Sequence, residues 1–555
     1  MTRPRSRAFG RALGAALVLG LIAGGALPAA AASYQRISGE GSSWAALAVQ
    51  QWQADVKSQG VTVDYVPSGS SQGRKNFAGR IDAKFAVSEI PYRGDTADKR
   101  DDSYPDFNFT MMPMVAGGTS FMYNLEVNGQ QFRGLNLSQQ AAAGIFSGTI
   151  TQWNDPAIAA DNPGVNLPAQ PITVVVRSEG SGATAQFTLW MLRQFPAAYQ
   201  QLCSVSGECD GTSATSYFPA QNKSNFVAQS GSDGVTKYTV QTSGTINYDE
   251  FAYAQQAGFP VANLKNTAGF YTTPTDTAVA VGLTQAVINS DPNSENYLAQ
   301  DLSNVYAYQD PRSYALSSYS YFMVPTQTTN QFDESHGATL GYFTQYSLCE
   351  GQQTMGTLGY SPLPMNLVLA AMTEIRKIPG LDASTTSKLD AVANSALGAD
   401  GGNPCNNPTF QPGDNPSHNI LVDKAPFPDG CDAACQAPWR LASAGVSASG
   451  PTFDAASPAA AGGAGTAAAA GAPAAGGGAA VAAKVCDADT GVCIDGTTDT
   501  VAGGKVTPVS TVIPGQQGWA GPQTLMVLVG GLLALFLVAP ALVSRILPKN
   551  PRNRP

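Results

Sequence analysis

The sequence predicts an α/β fold with largely parallel sheets, on three observations. Short β-branched runs bounded by turn residues, Val61–Val66 and Ile172–Val176, read as strands. Stretches of mixed apolar and polar faces, Trp44–Val56, Thr184–Phe195 and Asp249–Ala257, read as helices between them. This alternation runs from Tyr34 to about Gly380, and strands alternating with helices indicate a sheet covered by helices. Glycine–serine clusters also fall at strand-to-helix junctions, where such folds hold their ligands.

The N-terminus sets the compartment. Arg3, Arg5, Arg7 and Arg11 precede an apolar run from Ala12 to Leu27, followed by Pro28 and alanines to Ala32. A basic start, a short apolar stretch and small residues before a cleavage point make a secretory signal peptide over residues 1–32. A first transmembrane helix is the alternative, but the run is short and rich in Ala and Gly. No Cys follows the cleavage point to carry a lipid.

Three junctions share one chemistry: Gly39-Glu40-Gly41-Ser42-Ser43-Trp44, Gly69-Ser70-Ser71-Gln72-Gly73 and Arg177-Ser178-Glu179-Gly180-Ser181-Gly182-Ala183. Glycine lets the backbone approach a ligand closely. The N–H groups of a first helical turn attract an oxyanion. Serine hydroxyls add donors, and Arg177 adds a full charge in a planar fork. Any one of these could be an ordinary helix cap; three together, one led by Arg, point to an anion site. The second junction also matches G-x-S-x-G, the nucleophile elbow of serine hydrolases. That chemistry needs a His base, and the chain has only His336 and His418, neither in a catalytic context.

Composition narrows the partners. Of 555 residues 13% are charged, with a formal net charge of −9, and no basic stripe speaks for nucleic acid. An anionic small ligand remains compatible, because local dipoles and one Arg can bind it in an acidic protein. Eight Cys in an exported chain imply disulfides. Cys203 with Cys209, and Cys486 with Cys493, suit local loops, whereas Cys349, Cys405, Cys431 and Cys435 could pair in three ways. A metal site at Cys431-x-x-x-Cys435 is the weaker alternative.

Toward the C-terminus the sequence changes character. Residues 391–450 hold three Cys with many Pro and Asn, and read as a disulfide-tied extension on the body. From about Ala455 to Ala483 the chain is nearly all Ala and Gly, which cannot bury enough surface to fold alone. With its small Cys loop, the stretch 451–523 reads as a linker. The apolar run Leu525–Val543 matches a bilayer core about 30 Å thick. Trp519 lies before it, and Arg545, Lys549, Arg552 and Arg554 follow on what would be the cytoplasmic side. The expectation is a transmembrane helix over 524–546 and a cytoplasmic tail over 547–555.

The ordered motifs resemble the phosphate-binding proteins of bacterial phosphate ABC importers. They are Gly41-Ser42-Ser43-Trp44, Gly69-Ser70-Ser71-Gln72-Gly73, Ser88-Glu89-Ile90-Pro91, Ile145-Phe146-Ser147-Gly148 with Trp153-Asn154-Asp155-Pro156-Ala157-Ile158, the Arg177–Gly182 loop, Gly231-Ser232-Asp233-Gly234-Val235, Gly244-Thr245-Ile246-Asn247-Tyr248 and Gly359-Tyr360-Ser361-Pro362-Leu363-Pro364. The resemblance implies a two-lobed periplasmic-binding-protein-like fold of type II over residues 33–390. Hinge crossings would fall near Pro113–Gly118 and Tyr314–Met323, with ligand in the interlobe cleft. Lobe 1 would take about 33–115 and 314–390, and lobe 2 about 116–313.

The resemblance also implies roles. Ser43 and Ser70 would donate hydroxyls to inorganic phosphate, and Trp44 a backbone N–H. Arg177 would be the charged donor, and Ser181, Gly182 and Ala183 would supply N–H groups. Glu89 stands where the family has Asp, facing the proton that phosphate keeps and sulfate lacks. Glu179 replaces the Asp that supports the Arg, and Ala183 replaces a Thr whose hydroxyl Thr184 would have to supply. No catalysis, cofactor or metal is expected; permease subunits of an ABC importer are the implied partners. Another oxyanion, or a role as surface sensor or adhesion module, is the alternative on the same fold.

Overall fold

The computed structural model describes residues 34–94, 102–394, 404–428, 430–431, 485–486 and 493–494. The expected signal peptide, 1–32, and the expected transmembrane run, 525–543, lie outside them. Among the described residues no helix is long and apolar enough to cross a membrane.

Two sheets organise residues 34–394. The first has six strands in the order Asp249–Glu250, Phe109–Ser120, Ser317–Pro325, Phe85–Ser88, Ile37–Gly41 and Val63–Val66. Ile37–Gly41 runs parallel to both of its neighbours. The second has four, Phe226–Gln229, Thr173–Arg177, Thr245–Asn247 and Tyr123–Asn124, of which the first three are parallel. Phe85–Ser88 and Ser317–Pro325 are buried along their whole length. Continuous burial is what a sheet covered on both faces requires.

The first sheet is mixed rather than parallel throughout. Its two longest strands, Phe109–Ser120 and Ser317–Pro325, lie antiparallel, with Ser317 opposite Gly118 and Pro325 opposite Phe109. Both expected crossings fall on this pair or just before it. The fold is thus α/β and two-lobed, with a paired-strand hinge. Two predicted helices start two residues later than the sequence suggests, the first at Ala46 and the other at Phe251. Asp249 and Glu250 pair with Ser120 and Thr119 of the hinge strand, and the helix runs Phe251–Ala257. Ladder pairing to a distant strand overrides the local helical pattern there.

The tryptophan block is structural. Gly148 ends the helix Gln139–Ser147 in a left-handed conformation, φ 76°. Asp155 accepts from Ala157 N at the start of the next helix, with Pro156 in its first turn. Trp153 is fully buried and donates through Nε1 to Gly244 O at 3.1 Å.

Disulfides join Cys203 to Cys209, as the spacing suggested, and Cys349 to Cys405. Cys431 is disulfide-bonded as well. Between Cys405 and Ala425 the chain lies along the body. Asn407 Nδ2 and Thr409 Oγ1 donate to Leu363 O, and Asn366 N donates to Pro416 O. Leu421, Val422 and Ala425 pack against Ala280 and Val281. Arg312, buried and paired with Asp310, donates to Val422 O at 2.9 Å. The strap therefore touches segments outside the two hinge strands, at 349–366, and between them, at 280–312. Closing a loop of sequence separation 56 removes chain entropy worth about 4 kcal/mol. A Cys349→Ser/Cys405→Ser double variant should lose about 2–4 kcal/mol in denaturant unfolding; an unchanged midpoint would show that the strap holds without its bridge.

Within residues 461–555 the described residues are a short antiparallel pairing of Val485–Cys486 with Cys493–Ile494, which sets Cys486 opposite Cys493.

Candidate functional site

All three glycine–serine junctions open where a strand ends and a helix starts. The strand Ile37–Gly41 leads into Ser42 and Ser43, and the helix Ala46–Lys57 follows. Gly69, at φ 98°, precedes the helix Ser70–Ala78. The strand Thr173–Arg177 ends on Arg177, and Ser181 caps the helix Gly182–Gln194. Sheet geometry brings these ends together from both lobes. Ser71 N donates to Gly180 O at 3.0 Å, and Gln186 Nε2 donates to Glu89 O at 3.0 Å.

One half of the site centres on Glu89, which is 1% exposed. Its Oε1 accepts from Ser42 Oγ, and from Ser320 Oγ at 2.9 Å, while Oε2 accepts from Ser70 Oγ at 2.7 Å. A buried carboxylate needs such donors to stay charged. Across the cleft lies Gly182, where a built Cβ would stand 2.3 Å from Glu89 Oε2. The extra methylene of Glu thus carries the carboxylate up to the second-lobe helix N-terminus.

The other half centres on Arg177, 2% exposed. Its Nη2 donates to Ser43 Oγ of the first lobe and to Glu179 Oε1. Its Nη1 lies 3.4 Å from Ser232 Oγ and 3.6 Å from Asp249 Oδ2. Glu179 is held from its other oxygen by Gly231 N at 3.0 Å. Ser232 donates its hydroxyl to Asp249 Oδ1 at 2.9 Å and its N–H to Ser43 Oγ at 2.9 Å. With the Ser232 proton on Asp249, Ser43 is the donor of the Ser43–Ser232 hydroxyl pair at 3.0 Å.

Charge tuning follows burial. Desolvation opposes the charge on Arg177, but Asp249 and Glu179 outweigh it and hold its pKa above the ordinary value. Burial pushes Asp249 up to about 6, against the pull of Arg177. Burial and then the Asp249 charge push Glu250 well above the carboxylate range.

The structure gathers Ser43, Arg177 and Glu179 into one network, and Ser70, Glu89 and Gly182 into another. Other expectations change. Ser181 N donates to Ser216 O at 2.9 Å, so it is spent within its own lobe. Ser181 Oγ accepts from Thr184 N as a helix cap. Gly182 and Ala183 open the helix, where no carbonyl of a preceding turn can reach their N–H groups. Thr184 does not replace the missing hydroxyl of Ala183, because its Oγ1 is bonded to Tyr248 OH at 2.6 Å. Ser70 gives its hydroxyl to Glu89. The Trp44 side chain packs edge-on to Tyr360, leaving only its backbone at the junction.

Ser42, Ser232, Asp249 and Ser320 were missed from the sequence. Ser232 had a readable signal, since Gly231-Ser232 starts the helix Gly231–Gln241 just as the other three junctions start theirs. The hydrolase elbow finds no base. His336 bonds to Asp333 in a helix-start box, and His418 sits between Asp414 and Asp423.

Comparison with known proteins agrees with this architecture. A PBP superfamily domain matches residues 27–350. The phosphate-binding protein PstS of Xylella fastidiosa is 31% identical over 335 residues, covering 60% of this chain and 83% of that protein. PstS3 of Mycobacterium bovis is 30% identical over 311 residues, covering 55% and 76%. A solved phosphate-binding protein from Stenotrophomonas maltophilia aligns at 20% identity over 61% of this chain and 93% of that one, with a TM-score of 0.44. The domain match spans more than half of the chain and the curated relatives are matched over most of their own length, so this chain belongs to the PstS phosphate-binding protein family within the PBP superfamily.

Proposed function

We propose that this chain captures inorganic phosphate outside the cytoplasm, without catalysis, and delivers it to an ABC importer. The observation that carries the reading is the convergence of Arg177, the N-terminus of the helix Gly182–Gln194 and the buried carboxylate of Glu89 across one cleft. The names of the relatives support the same ligand. Arg177 and the N–H groups of Gly182 and Ala183 attract an oxyanion; Ser43 and Trp44 add first-lobe groups beside them. Ser181 positions that helix start, and Glu179 orients the Arg fork. Ser70 holds Glu89 rather than the ligand.

Glu89 decides which oxyanion is accepted. Phosphate near neutral pH keeps a proton that a carboxylate can accept, and sulfate has none. Sulfate would face Glu89 with acceptors only, two like charges with no proton between them, at a cost of several kcal/mol, on the order of a thousandfold in affinity. Glu89→Gln is expected to weaken phosphate and to let sulfate compete, in calorimetric titration of the exported body. Unchanged selectivity would remove Glu89 from the site, and no phosphate binding with intact lobes would leave another oxyanion as the ligand.

In this reading lobe 1 takes about 33–115 and 314–390, and lobe 2 about 116–313, with the strap beyond. Residues 1–32 direct export. The apolar run 525–543 anchors the body through the Ala/Gly linker. Carbonate extraction of membranes tests the anchor, since deletion of 524–555 should free the body.

A further inference from the structure

We propose that Asp249 couples oxyanion capture at Arg177 to the uptake of one proton, which makes the site an acid-favoured receptor. The inference rests on the phosphate reading above. Its starting point is a charge count. Among the described groups bonded into the two networks, Arg177 is the one cation; it pairs with the carboxylates of Glu179 and Asp249, while Glu89 adds a third carboxylate in the other network. An arriving anion therefore enters a site whose fixed carboxylates outnumber its cation.

The three carboxylates differ in how their oxygens are hydrogen-bonded. Glu89 accepts from three serine hydroxyls, and Glu179 has Arg177 on one oxygen and Gly231 N on the other. Asp249 accepts on Oδ1, from Ser232 Oγ and Glu250 N. Its Oδ2 is buried, makes no hydrogen bond among the described residues, and lies 3.6 Å from Arg177 Nη1. A proton on that oxygen displaces no existing donor.

Everything that faces Asp249 bears on the sign. Arg177 favours the ionised form, whereas Glu179 opposes it. Glu250 lies next to it, and Tyr253 and Tyr360 pack close enough to feel its charge. Burial already lifts Asp249 to about 6. A bound anion shares the Arg177 charge that holds Asp249 ionised and adds a like charge nearby, so it raises that pKa further. Binding then takes up a proton, and affinity falls as pH rises above about 6.

Calorimetry of phosphate binding in two buffers of different ionisation enthalpy counts the protons. At about pH 6, free phosphate is already almost wholly the singly charged species, so uptake there reports on the protein. Wild type should take up a measurable fraction of a proton per phosphate, because Asp249 in the free site is raised into this range and only partly protonated. Asp249→Asn should take up none and should bind phosphate about tenfold or more tighter than wild type at about pH 8, because a like charge is removed. Zero uptake by wild type at about pH 6 overturns the coupling without any variant. Equal proton counts, or parallel pH profiles, in wild type and Asp249→Asn also overturn it while phosphate binding stands. Failure to bind phosphate at any pH defeats the reading beneath it, and the coupling with it.

Discussion

Arg177→Ala is expected to reduce phosphate affinity by at least about a thousandfold, about 4 kcal/mol. The loss has two sources. The side chain is the one cation among the described groups of the site, and its fork ties Ser43 of the first lobe to Glu179 of the second. Removing it takes away both the charge that meets the anion and a bond that spans the closed cleft. Stability should fall too, by up to about 3–5 kcal/mol, because Asp249, buried, and Glu179, partly buried, are left without their counter-charge. That cost should be smaller at acidic pH. Asp249, raised to about 6, takes a proton there, and the unpaired charge disappears. Arg177→Lys separates the two sources, keeping the charge but losing the planar fork. Titration and thermal unfolding at two pH values check both parts. Retained affinity in Arg177→Ala would place the anion elsewhere.

Much of this site was legible because it is built from local sequence. A helix start that needs Gly and Ser writes itself into a few consecutive residues, so the junctions at Ser42–Ser43, Gly69–Ser70 and Arg177–Gly182 could be read directly. Arg177 and Glu89 were reachable through the ordered motifs around them. What was not legible depends on register between distant segments. Asp249 looks like the first residue of an amphipathic helix. Only its pairing with Ser120 of the hinge strand holds it in extended backbone beside Arg177. Ser320 is one of three serines in a wholly buried strand, at a register irregularity between Ser320 and Tyr321, and nothing local says that it faces Glu89. The mixed first sheet was missed for the same reason. Strand direction is set by which segments the hinge brings together, and no local pattern records that.

Gly182→Ala is expected to lower phosphate affinity by about a hundredfold while leaving stability nearly unchanged. Its backbone does not require glycine, since it begins a helix with negative φ, and alanine is the better helix former by about 1 kcal/mol. The second lobe alone should therefore tolerate the methyl group. The closed cleft should not. A Cβ at this position would lie 2.3 Å from Glu89 Oε2, 2.9 Å from Glu89 N and 3.0 Å from Ser70 Oγ. The carboxylate could swing aside only by giving up Ser70 and its other hydroxyl donors, and the Glu89 backbone cannot swing at all. Relief must come from the hinge, by a partial opening that separates Gly182 and Ala183 from the first-lobe groups. A hundredfold loss, about 2.7 kcal/mol, is the scale of losing one such set of contacts. Titration with phosphate, paired with thermal unfolding of the unliganded variant, distinguishes this from simple misfolding. Wild-type affinity in Gly182→Ala would mean that the ligand is held with the lobes farther apart than they stand here.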